Sequence, residues 1–314
     1  LEPIFHQQPE HPGLAHYLIH AYDSAELAPQ GLVAARAYSK IAPSVPHALH
    51  MPSHIYTRLG LWDDSIASNQ AARAAAHLQG DLGEELHAMD YLTYAYLQSG
   101  RPTDAEQVVA DLRLMKDAPA IQFTSAYAAT AMPVRLAIER QDWDNAASLD
   151  PPPQSAPQVA ALVYWARALG RARGGNPRTP DADLGKLQAC LSELKSVGNL
   201  YWATQVDVLI KEAQAWGMAT DGDTEAAVLN LRAAADQEDA VEKLPVTPGP
   251  IVPAREQLGE LLLDLQRPDQ ALHEFQTALT FAPRRRGALA GAITAAERLG
   301  DTQTATQLRA ELTH

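Results

Sequence analysis

Two pairs of histidines stand four residues apart: His16 and His20 in LAHYLIHAYD, and His50 and His54 in LHMPSHIYT. On an α-helix, residues i and i+4 stack on one face, so each pair can aim two imidazoles at one point. The two pairs are related by a shift of 34 residues, which also carries Pro12 onto Pro46 and Tyr22 onto Tyr56. They are therefore equivalent positions in successive structural repeats. Nine of the eleven histidines fall within residues 1–87, so the enrichment is local. Imidazole nitrogen and carboxylate oxygen are the ligand set of zinc, and also of iron, manganese and copper.

A third repeat extends the register. His50 lies ten residues before Gly60, and Asp90 lies ten before Gly100. On the same count His54 corresponds to Tyr94 and His47 to His87. The candidate ligands are thus His16, His20, His50, His54, His87 and Asp90, at least three of which are expected to bind one divalent ion, zinc first. Glu84 and His87 have the Glu-x-x-His spacing found in di-iron helical bundles. His47 either joins the set or caps a helix start beside Pro46. Pro52, between His50 and His54, either kinks a helix or opens a new one. Glu256 lies ten before Gln266 and so shares the register of His50 and Asp90. Glu256 is the candidate proton acceptor or orienting group, and Tyr94 the candidate donor to developing negative charge. The competing readings are a hydrogen-bonded histidine ladder, a pH-sensitive or peptide-carboxylate-binding groove and, for Glu256, a solvated helix face. His6, His11, His77, His273 and His314 read as surface residues.

The elements that carry these residues are helices joined by recurring polar turns. LGLWDDSI at 59–66 returns as QSGRPTDAE at 98–106, RQDWDNAA at 140–147, LQRPDQAL at 265–272 and LGDTQTA at 299–305. In the clearest unit, Glu256 to Pro283, apolar residues recur at i, i+3, i+4 and i+7, which is the signature of two amphipathic helices. Ala271 and Ala278 let them approach closely, and Pro283 closes the second. No convincing period-two run signals a strand. This pattern resembles the tetratricopeptide repeat (TPR). The resemblance implies an all-α fold: residues 1–314 as a single right-handed solenoid of roughly seven hairpins. Within it, residues 1–150 form histidine-rich repeats, 151–245 degenerate repeats with Pro/Gly loops, and 246–314 regular C-terminal repeats. First helices of neighbouring TPR hairpins line one concave surface, where the histidines are expected to open. Asp150–Pro157, Gly174–Asp183 and Pro245–Pro253 are proline-rich interruptions that read as loops. The third is the most apolar and has the composition to fold into the groove.

The phrases HPGLAHYLIHAYD (11–23) and PHALHMPSHIYTRLGLWDD (46–64) more specifically resemble those of a largely uncharacterised family of large bacterial TPR proteins. That resemblance implies further TPR-like repeats of the same protein upstream, with this chain corresponding to a C-terminal portion. It implies no particular activity.

Composition narrows the partners. With 25 Lys plus Arg against 38 Asp plus Glu, the net charge is −13, which lacks the basic footprint of nucleic-acid binding or of an anionic membrane surface. No apolar run is long enough to span a membrane. Cys190 is the one cysteine, so an internal disulfide and any multi-cysteine metal site are excluded. No phosphate-binding loop, nucleophile elbow or His-Glu-x-x-His motif occurs. The expectation is a TPR protein with a His/Asp divalent-metal site, acting as a metal-dependent hydrolase or oxygen-activating enzyme on an extended substrate. The alternative is a non-catalytic scaffold that holds a peptide or protein segment in its groove. The compartment is left open.

Overall fold

Alanine-rich amphipathic segments separated by polar turns pack as antiparallel helical hairpins in the computed structural model, which describes residues 1–115, 122–175 and 181–313. Among the described residues there is no strand. The helices are α1 (Glu2–Gln7), α2 (Pro12–Tyr22), α3 (Ala28–Ile41), α4 (Pro46–His50), α5 (Pro52–Arg58), α6 (Trp62–Gln79), α7 (Leu82–Gln98), α8 (Pro102–Leu114) and α9 (Phe123–Glu139). They continue as α10 (Trp143–Ser148), α11 (Pro157–Arg173), α12 (Asp181–Ser196), α13 (Leu200–Thr220), α14 (Thr224–Asp239), α15 (Ala254–Asp264), α16 (Pro268–Phe281), α17 (Arg286–Leu299) and α18 (Thr302–Thr313). The all-α helical-hairpin expectation holds.

The turns have a common backbone cause. Gly60, Gly100, Gln141, Gln266 and Gly300 all adopt the left-handed conformation, with φ of 65°, 73°, 54°, 58° and 75°. Each reverses the chain between two helices of the repeat pattern. Glycine does this without a Cβ penalty, whereas glutamine pays about 1–2 kcal/mol for it. Proline fills the first turn of α2, α4, α5 and α8, where a missing N–H costs nothing.

The chain forms two compact units. The first comprises Leu1–Met132 together with Glu242–Gly249 and Thr280–Arg286. The second comprises Pro133–Val241, Pro250–Leu279 and Gly287–His314. The first division falls at Pro133, inside α9, where proline removes a helical hydrogen bond. Segment 150–156 is irregular, as expected; of the 174–183 interruption, 176–180 lie outside the described residues and Asp181 already opens α12. Segment 242–249 is irregular and packs within the first unit.

In the first unit, α2, α3, α4 and α5 meet through Ala15, Leu18, Ile19, Ala34, Ala35, Ala48, Met51 and Ile55. Gly31 on α3 is the point of closest approach: a Cβ there would lie 2.7 Å from Ile55 Cδ1 and 3.1 Å from the Cβ of Tyr22. That contact sets the distance between the helices that carry His16, His20 and His54. Among the described residues, no helix is long and apolar enough to cross a membrane.

Candidate metal centre

His50 closes α4, and Pro52 opens α5. Of the two readings of Pro52, the helix start is the one observed. Met51 between them keeps right-handed helical angles (φ −51°, ψ −37°), and its N–H still donates to His47 O at 2.9 Å. The i, i+4 stacking therefore survives the break. His50 Nε2 lies 3.1 Å from His54 Nε2. His87 on α7 completes a trio, its ring centroid 4.4 Å from that of His50 and 6.2 Å from that of His54. One ligand nitrogen from each of the three falls within a 4.8 Å set. For metal–nitrogen distances of about 2.0–2.1 Å, two ligands of a tetrahedral ion stand about 3.3 Å apart. The His50–His54 separation is close to that edge.

The hydrogen bonds around this trio fix which nitrogen carries the proton. The Asn69 amide is oriented by its Nδ2, which donates to Ser65 O at 2.8 Å. Its Oδ1 therefore faces His50 Nδ1 at 2.6 Å and accepts that ring hydrogen. Asp23 Oδ2 accepts from His54 Nδ1 at 2.9 Å. In the neutral rings both Nε2 atoms are then bare lone pairs, aimed at one another. His87 Nδ1 is buried with no hydrogen-bond partner. Histidine–carboxylate and histidine–amide pairs of this kind are the usual outer support of a metal-ligating imidazole.

Electrostatics keeps the rings neutral. Burial drives His54 down to about 4, against the opposing bond to Asp23. Burial, then the neighbouring His54 and His47, drive His87 down to about 3. Burial and the same crowding hold His50 well below the usual histidine range. Burial alone would raise the Asp23 carboxyl, but Lys243, His54 and Arg58 hold it far below the carboxylate range. Arg58 Nε donates to Asp23 Oδ1 at 2.8 Å, and Lys243 Nζ lies 3.0 Å from Asp23 Oδ2. Lys243, on segment 242–249, is itself lowered to about 8 by burial despite that pairing.

A second trio stands beside the first. His16 Nε2 lies 3.1 Å from both His20 Nε2 and His47 Nε2, and His47 Nδ1 faces Glu84 Oε1 at 3.1 Å. The two trios are images of one another along the repeat. Each takes the i, i+4 pair of one hairpin and the histidine three positions before the equivalent pair position in the next. Thus His16, His20 and His47 become His50, His54 and His87. The ring centroids of His20 and His54 are 6.2 Å apart, which joins the trios.

No family model matches the sequence, and no curated protein matches it. Among solved structures, the chain is similar to the assembly chaperone of RpL4 (Acl4), residues 1–338. The TM-score is 0.30 at 16% identity, over 95% of this chain and 99% of that one.

The remaining sequence-derived site residues fall elsewhere. Five of the six candidates fall into the two trios, with His47 joining the α2 pair. Asp90 is fully buried on α7 and belongs to neither trio. The tyrosine against the inner rings is Tyr91, whose hydroxyl lies 3.3 Å from His54 Nδ1 and donates to Thr247 O at 3.2 Å. Tyr94 instead packs edge-on to Trp62 and meets Arg285 Nη1 at 3.4 Å. Glu256 sits on α15 in the second unit at 2% exposure, against Gly287, and so is not on a solvated face. Its register-mate Glu260 pairs with Arg173 at 2.6 Å. The expected opening of the histidines on a solvent-facing surface holds for the outer trio only. His50, His54 and His87 are 0%, 2% and 8% exposed. His6, His11, His77 and His273 are exposed as expected, and His314 lies outside the described residues.

Asp23, Asn69 and Lys243 were not singled out from sequence. Asp23 closes the HAYD phrase three residues after His20, which is a faint signal. Asn69 lies on a second helix, outside the register used, and Lys243 arrives from a distant segment.

Proposed function

We propose that this chain is a helical-repeat binding protein that holds a divalent transition-metal ion at His50, His54 and His87. One observation carries this reading: Asn69 and Asp23 take the Nδ1 hydrogens of His50 and His54, leaving two Nε2 lone pairs 3.1 Å apart. Two such lone pairs repel without a cation between them, and an imidazole trio suits zinc or copper, with iron a weaker fit. Manganese, which prefers oxygen ligands, fits least. Burial of all three rings favours retention of an ion over turnover of a bulky substrate, so hydrolase or oxygen-activating chemistry is the less supported use.

A scaffold that binds a protein segment is the second reading. It is supported by the hairpin-repeat architecture, since such arrays present extended surfaces for partners. The two readings separate in one measurement. Chain purified without an affinity tag, stripped with chelator and dialysed, is titrated with zinc, copper, cobalt and iron. Uptake that falls by one ion per chain in His50→Ala/His54→Ala, with helicity retained, supports the metal reading. No uptake of any of these ions removes it and leaves the scaffold.

A further inference from the structure

The outer trio shares the geometry of the inner one but differs in its exposure to water. His16 and His47 are half-buried and His20 is exposed, whereas the inner rings are sealed. Glu84 takes the Nδ1 hydrogen of His47, just as Asp23 takes that of His54, so His47 presents a bare Nε2. That Nε2 and the one of His20 both lie 3.1 Å from a single atom, His16 Nε2. One ring hydrogen cannot lie along both contacts at once, so with neutral rings at least one contact lacks a well-aligned hydrogen bond. An ion about 2.0–2.1 Å from each nitrogen satisfies all three rings together.

We infer that His16, His20 and His47 form a second divalent-metal site that takes its ion from solvent and passes it to the inner trio. Three observations carry this. The outer trio is the repeat-translated image of the inner one, with the same 3.1 Å Nε2–Nε2 edge between its i, i+4 histidines. It stands on the exposed side. The neighbouring rings of His20 and His54, 6.2 Å apart, provide ligands on both sides of the step. The ion is of the borderline class that prefers imidazole, and it moves by ligand exchange, leaving outer nitrogens as inner ones bind. No redox change is involved; only metal–nitrogen bonds form and break. The second site stands on its own geometry, while the transfer step rests on the proposed function of the inner trio.

The test uses cobalt(II) as the probe, on the chain without a tag. Equilibrium dialysis gives the stoichiometry, and stopped-flow absorbance follows the cobalt ligand-field bands. The expected result is two ions per wild-type chain. His16→Ala/His47→Ala should hold one ion and fill the inner site at least tenfold more slowly. His50→Ala/His54→Ala should keep one fast-exchanging ion. Because the outer rings lie at the surface, their removal should not unfold the chain, which circular dichroism checks. A stoichiometry of one that only the inner substitutions abolish would overturn the second site and leave the proposed function standing. One ion that only the outer substitutions abolish would do the reverse. Two ions per wild-type chain, with unchanged inner filling in His16→Ala/His47→Ala, would overturn the transfer role.

Discussion

His54 and Asp23 share one hydrogen bond, Nδ1 to Oδ2 at 2.9 Å, and its direction decides which face of the imidazole is available to a ligand. The same carboxylate is the counter-charge for Arg58 and Lys243. Asp23→Ala should therefore do two things. It should lower metal affinity by about 10–100-fold, the usual cost of losing an outer-shell partner. It should also destabilise the metal-free chain by about 3–5 kcal/mol, because buried cations lose their partner. Metal titration and urea unfolding measure the two separately. Wild-type affinity in Asp23→Ala would show that the bond does not orient His54.

Acid should destabilise the metal-free chain above the range where carboxylates titrate. His54 and His87 take up protons near about 4 and about 3 when folded, against 6.5 when unfolded. As pH falls below 6.5 the unfolded chain binds protons first, so stability falls, with no contribution from these groups above that pH. By pH 5 the loss should be about 2 kcal/mol from each ring. Urea midpoints in chelator at pH 7.5 and 5 give the slope. His87→Gln should make it shallower, and an unchanged slope would mean that His87 does not titrate as its burial implies.

Gly31→Ala should destabilise by about 1 kcal/mol, since the overpacking against Ile55 and Tyr22 exceeds the gain in helix propensity. Ile55→Val removes the nearest atom, so the double substitution should recover about 1 kcal/mol as a coupling energy. Additive behaviour in thermal unfolding would show that α3 and α5 simply move apart.

In the second unit, Arg255 reaches Glu274 Oε2 at 2.6 Å, Asp236 Oδ1 at 2.7 Å and Asp239 Oδ2 at 2.6 Å. Glu274 is 1% exposed and otherwise keeps Arg232. Arg255→Leu should cost about 3 kcal/mol and leave metal stoichiometry unchanged. A loss of metal binding in this variant at a temperature where it remains folded would contradict the assignment of the ligands to the first unit.

The sequence by itself determined the helices, the turns and the equivalence of the histidine pairs. These are local properties: amphipathic spacing, left-handed turn positions at Gly60, Gly100, Gln141 and Gln266, and a constant shift from His16 to His50 and from His20 to His54. The register even related His47 to His87. What it could not decide was the partition. Whether His47 sides with the pair before it or with its own hairpin depends on how α2 to α5 pack, through Gly31 against Ile55 and the alanine contacts of the core. The tertiary structure likewise chose Tyr91 over Tyr94, because three positions along α7 shift a ring by about 4.5 Å and leave it about 60° short of a full turn. It buried Glu256 against Gly287 in a different unit, and it brought Lys243 to Asp23. A counter-charge for a buried carboxylate can come from any part of the chain that folding carries there, so no spacing in the sequence encodes it.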